Sequence, residues 1–154
     1  MALLALLLVA VTAHVILGGA GLDRLLVQMP GWYRVGPLVF ATYARATDLG
    51  NGRVLYPVLG ISGPIATWAA FALALAMHAP RAVTVPLLAA SVLCVLHSIA
   101  TTQAAPAMLR IGRTEDDEAQ ITPLMNRFAR VSVVRAILQA LTTVALLWAL
   151  VAGW

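Results

Sequence analysis

The sequence predicts an all-α integral membrane protein, a four-helix bundle with a short interfacial helix in its first long loop. Three observations lead there. Hydrophobic residues make up 62% of the chain and charged residues only 10%, whereas soluble domains run near 45–50% and about 25%. The apolar residues gather into four blocks, roughly residues 3–21, 57–77, 83–102 and 131–152. Each block approaches the ~20 residues that a helix needs to cross a bilayer core, and none contains Asp or Glu. The 154 residues suit a single transmembrane domain. Cys94 is the only cysteine, which excludes a disulfide scaffold, a CxxC redox pair and a thiolate metal cluster.

The first block has no Lys or Arg ahead of its apolar run, so it reads as a retained span and not a cleaved signal peptide. A long connection follows, from about Leu22 to Tyr56. Within it, Met29-Pro30-Gly31-Trp32-Tyr33 reads as a turn carrying interfacial aromatics. Pro37 to Thr47 can form a short helix with Pro near its first turn and Phe40, Tyr43 and Ala44 on one face. Asp48-Leu49-Gly50-Asn51-Gly52 supplies the turn chemistry that ends it. This helix is expected to lie in the interface or to fold back against the bundle.

Spans two and three are joined by a tight turn, His78-Ala79-Pro80-Arg81-Ala82. Spans three and four are joined by a second long connection, about Gln103 to Arg130. Its Thr114-Glu115-Asp116-Asp117-Glu118 run reads as a solvated segment. Thr122-Pro123 looks like an N-cap followed by Pro at the first helical position, so the fourth helix is expected to start there. Arg127 and Arg130 would then sit at the headgroups, free to pair with Glu115, Asp116 or lipid phosphate.

With four spans, both long loops share one face, and both termini share the other with the short turn. The loop face holds Arg24, Arg34, Arg45, Arg53, Arg110, Arg113, Arg127 and Arg130, against Arg81 on the terminal face. The positive-inside rule places the loops in the cytoplasm and both termini outside it, in what would be a bacterial inner membrane. The net charge of +4 is thus a topology signal. No dense basic run interleaves with aromatics, so nucleic acid is not an expected partner. The bilayer is the expected one, with a second copy or another membrane protein left open.

Ionisable and strongly polar groups inside a membrane are costly and are functional candidates by default. His14, His97, Arg135 and Gln139 lie in the loop-face half of three different spans. With a helical rise of about 1.5 Å per residue, His97 stands roughly 6 Å from the middle of its span. Helical spacing puts Ser132, Arg135, Gln139 and Thr142 on one side of span four, and Cys94, His97 and Thr101 on one side of span three. Span one aligns His14, Gly18 and Gly21, and span two aligns Tyr56, Gly60, Gly63 and Thr67. One polar pocket open toward the loop face would explain all four stripes. The plainer account is that these groups only hydrogen-bond between helices and that Arg135 snorkels. The spans hold too few His residues and carboxylates for a zinc or di-iron site. His14 and His97 could ligate a haem iron from two sides if they faced each other.

Several short motifs resemble small four-span bacterial membrane proteins related to the anthrone oxygenases. They are Leu22-Asp23, Met29-Pro30, Gly36, Tyr43-Ala44-Arg45-Ala46, Asp48-Leu49-Gly50-Asn51-Gly52, Tyr56 and Leu59-Gly60-Ile61. Thr101-Thr102-Gln103 with Pro106, and Pro123-Leu124-Met125-Asn126-Arg127 with Arg135 downstream, continue the likeness. The resemblance implies an oxygenase that turns a fused aromatic ketone into a quinone with molecular oxygen and no cofactor, neither metal nor flavin. It implies His97 as base and Arg135 as the stabiliser of an enolate-like anion. His14, Tyr56, Thr101, Asn126 and Gln139 would contact a small apolar aromatic substrate. Two other classes stay open: a non-catalytic subunit or small-molecule-binding protein, and a haem-binding electron carrier.

Overall fold

A computed structural model describes residues 1–153. The helices are α1 (Ala2–Asp23), α2 (Met29–Val35), α3 (Pro37–Ala46), α4 (Gly52–Ala76), α5 (Arg81–Ile111) and α6 (Glu118–Ala152), and there is no strand among the described residues. Wide π-type turns over Arg24–Gln28 and Thr47–Asn51 join α1 to α2 and α3 to α4. Four helical runs are long and apolar enough to cross a membrane: Ala2–Val35, Pro37–Ala76, Arg81–Ile111 and Glu118–Ala152. Around the bundle the order is α4, α1, α6, α5, with α5 packed most extensively on α6 and the α4–α5 seam the thinnest.

Both long connections are more helical than the hydropathy suggests. Hydropathy reports where a helix is apolar and not where it stops. α5 runs on past Thr102 to Ile111, because Ala104, Ala107, Met108 and Ile111 keep a buried stripe at helical spacing. Only Gly112 to Asp117 is left as the loop before α6. The N-cap of α6 is Asp117 and not Thr122: its carboxylate accepts the Ala119 N–H at 2.9 Å, while Thr122 Oγ1 donates to the Glu118 carbonyl inside the helix.

Met29 to Tyr33 is the start of α2, not a turn. Pro30 falls in its first turn, where its missing N–H costs nothing. Trp32 is buried there, its ring 4.6 Å from Phe40 and 6.3 Å from Phe128. The helix expected over 37–47 forms as α3 and packs against α5 and α6. It buries Phe40, Ala41 and Ala44, while Tyr43 faces outward. Gly36 separates α2 from α3 at φ +89°, a left-handed value that favours glycine.

Arg45 secures this hairpin. It donates to the Ile111 carbonyl at 3.3 Å, the Thr114 carbonyl at 2.6 Å and Asp116 Oδ1 at 2.7 Å. Asp116 therefore pairs with Arg45 and not with Arg127 or Arg130.

Two apolar clusters result. One gathers Met29, Trp32, Phe40, Ile111, Ile121, Met125 and Phe128 at the α2–α3 end. The other joins α1, α4, α5 and α6 through Leu7, Ala70, Leu87 and Leu146. Along their helices, His14, His97, Arg135 and Gln139 fall between the two clusters.

Candidate functional site

A cavity of about 520 Å³ occupies this intermediate layer. Leu17, Ala20 and Gly21 of α1 line it, together with Tyr56, Pro57 and Gly60 of α4. His97, Ser98 and Thr101 of α5 and Phe128, Ser132, Arg135 and Gln139 of α6 complete most of the wall. Arg24 and Asp48 enter from the two wide turns. The volume is within the range of small-molecule sites, and the walls have the mixture such sites use: mostly apolar, with a few polar groups.

The polar groups are unsatisfied in a patterned way. Among the described residues, the buried side-chain nitrogen and oxygen atoms without a hydrogen-bond partner are Arg24 Nε, Asp48 Oδ2, His97 Nδ1, Ser132 Oγ, Arg135 Nε and Gln139 Oε1. Every one of these residues lines the cavity. Buried polar atoms are ordinarily paired, and leaving one unpaired costs about 1–3 kcal/mol. Their concentration on one wall system points to a ligand or water as the missing partner.

Each side chain has a local reason for its position. His97 Nε2 lies 3.5 Å from Thr101 Oγ1, one turn on, and that hydroxyl donates to the His97 carbonyl at 2.9 Å. With its proton spent there, Thr101 Oγ1 accepts from Nε2–H, which leaves the lone pair on His97 Nδ1, an atom that is buried and has no partner.

Arg24 donates to Asp48 Oδ1 at 2.5 Å, and the two side chains are 15% and 8% exposed. Its guanidinium lies over the rings of Tyr56 and Phe128 at 5.5 Å each and of Trp32 at 6.0 Å, within cation–π reach. Arg135 has no carboxylate partner among the described residues.

His14 is buried but is not part of the cavity wall. Gln139 Nε2 donates to its Nδ1 at 2.5 Å and reaches its carbonyl at 3.3 Å. His14 Nε2 then carries the proton toward Thr67 Oγ1 at 3.2 Å, with Cys94 Sγ at 3.5 Å, and Thr67 passes its own proton to the Gly63 carbonyl at 2.9 Å. Gly63 permits this approach, since a Cβ there would meet His14 Nε2 at 3.2 Å. Both ring nitrogens of His14 are engaged, so it offers none to a haem iron facing His97.

Of the residues singled out from sequence, the cavity brings together His97, Arg135, Tyr56, Thr101 and Gln139. His14 stands one shell behind it, through Gln139. Asn126 lies elsewhere: its Oδ1 accepts from Tyr33 at 3.1 Å in an exposed bond between α6 and α2. Sequence reasoning missed Arg24 and Asp48 as site residues. One signal was available: Arg24 closely follows the first apolar block, and Asp48 lies in the turn motif ahead of the second, with Trp32 and Tyr56 in the same connection.

Comparison with protein-family models, curated proteins and solved structures finds no match. The short motifs alone therefore carry the likeness to the anthrone oxygenases.

Proposed function

We propose that the chain is a membrane-embedded, cofactor-independent oxygenase-like enzyme acting on an apolar aromatic substrate with an acidic C–H beside a carbonyl, as in an anthrone. The observation that supports this most is that, among the described residues, every unpartnered buried side-chain nitrogen or oxygen belongs to a residue lining one cavity. Within that set, His97 with its unpartnered Nδ1 and Arg135 with its unpartnered Nε line the same cavity, in company with Arg24, Asp48 and Gln139.

The chemistry follows from these two groups. His97 Nδ1 removes the ring-adjacent proton as general base. Arg135, with Arg24 beside Asp48, holds the negative charge that develops on the carbonyl oxygen, where a site shielded from water makes each interaction stronger. The electron-rich anion reduces molecular oxygen. The CH₂ carbon loses two C–H bonds and gains C=O, one oxygen atom enters the product, and the other leaves as water. Gln139 Oε1, fixed by His14, accepts from a substrate hydroxyl, and Tyr56 and Phe128 flank the rings. On this reading α3 lies at the interface of a bacterial inner membrane, with the bilayer and the substrate as partners and no nucleic acid.

Anthrone oxidation by protein reconstituted in vesicles tests the assignment. His97→Gln and Arg135→Leu should each lower turnover by about 10²-fold or more, at unchanged elution and thermal midpoint. Turnover that survives both changes sinks the reading. An intense visible band that shifts on reduction would replace it with a haem carrier in which His14 is not the second ligand.

A further inference from the structure

The exposure of the cavity wall is uneven. The lining residues that are exposed are Arg53, Pro57 and Ile61 of α4 and Ser98, Ala105 and Leu109 of α5. Ile61 is 61% exposed and Leu109 48%. No lining residue of α1 or α6 is exposed. A cavity whose outward-reaching walls all belong to two neighbouring helices opens between them.

The α4–α5 seam has the structure such a gap needs. It is the thinnest contact of the bundle. Trp68 Nε1 donates to the Ser91 carbonyl at 3.4 Å and ties the two helices in the half away from the cavity. Among the residues of these two helices that line the cavity are the small ones Gly60, Ser98 and Ala105, and a Cβ at Gly60 would meet nothing within 4 Å. Gly60 and Ser98 lie within about 10 Å of the middle of their apolar runs, inside the ~15 Å half-thickness of a hydrocarbon core. What lies outside the gap at that depth is lipid, not water.

Charge indicates what would pass through it. Arg24, Arg53 and Arg135 line the cavity with one carboxylate, Asp48, so an oxygen anion is favoured at the inner end of an apolar space. We propose that the cavity loads sideways from the bilayer through a gap between α4 and α5 at Gly60, and that it takes a lipid-dissolved organic acid with an apolar body. The inference shares its cavity with the oxygenase reading but none of the chemistry.

The test uses full-length protein in vesicles containing a fatty acid that carries a photoreactive diazirine in its tail. After irradiation, labelled peptides are mapped by mass spectrometry. In the wild type, label should reach Ser132, Ala136 and Gln139, which have no outward exposure. Gly60→Phe should plug the gap and lower that inner labelling roughly tenfold, while label on the outer surface at Val58 and Ile65 persists. Gly19→Phe is the matched control, because Gly19 also has open space for a side chain but does not line the cavity. Its inner labelling should stay within about twofold of wild type. Absence of inner label in the wild type overturns the proposal, and so does wild-type inner labelling in Gly60→Phe. Where Phe prevents assembly, Gly60→Leu is read by the same criteria. A failed oxidation assay leaves this result untouched, and an enzyme active on anthrone could still fail it.

Discussion

Gln139 sits where two polar systems meet. Its amide nitrogen is spent on His14, at the ring and at the carbonyl, and its oxygen is buried and unpaired in a residue that lines the cavity. If that amide turned over, its oxygen would face Nδ1 and His14 would have to take its other tautomer. Gln139→Leu leaves His14 Nδ1 without a donor and should destabilise the fold by about 1–3 kcal/mol in a reversible unfolding titration. A change smaller than a few tenths would show that the His14 network is not structural. Much of this was legible at the level of depth, because rare polar residues on three apolar spans align at similar heights. Which of them touch a cavity was not legible. His14 and Gln139 fall on inward stripes alike, and only the packing against Gly63 and Thr67 sends His14 behind the wall. Asn126 illustrates the opposite failure: its motif neighbours suggested a site, and the fold used it to fasten α2.

At the scale of elements, α6 shows how a helix can begin well before its apolar run. The Asp117 carboxylate accepts from Gln120 Nε2 at 2.7 Å and from the Ala119 N–H at 2.9 Å. These bonds, the Gln120 one foremost, hold its pKa below the ordinary value of 3.8. A depressed carboxylate stabilises the fold above the unfolded pKa, and the contribution is lost as pH falls through the folded one. The protection of the Ala119 and Gln120 amides, their exchange rate taken relative to the intrinsic rate at each pH, should therefore be constant above about pH 5 and fall below the ordinary carboxylate range. Asp117→Asn should flatten that response. A loss of protection that persists unchanged in Asp117→Asn would assign it to another group. Hydropathy could not find this start, because the cap lies inside an acidic run that composition marks as solvated. The α2–α3 hairpin was half visible for a similar reason. Its turn chemistry and Phe40 were plain, but Trp32 had the look of an interfacial aromatic until Phe40 and Phe128 were seen to enclose it.

For the whole molecule, the four spans were the most legible feature, since each exceeds the length that any buried soluble helix of this composition needs. The charge asymmetry is a property of the same scale. Reporter fusions should place both termini outside the cytoplasm, with alkaline phosphatase active and a fluorescent protein dark at either end. The opposite pattern would invert the topology and put the α2–α3 end outside.

Trp32 gives the molecule an optical readout of its own cavity. Among the described tryptophans, it is 5% exposed while Trp68 and Trp148 are 44% and 59% exposed. It also lies within 6.0 Å of the guanidinium that Asp48 anchors at the cavity edge. An anion that draws Arg24 inward would change the field on that indole, so the emission of Trp32 should shift on loading, and the shift should vanish in Trp32→Phe. Titration with a non-reacting aromatic acid can then report occupancy without turnover, label or cofactor. Emission changes that survive Trp32→Phe would belong to the lipid-facing tryptophans instead.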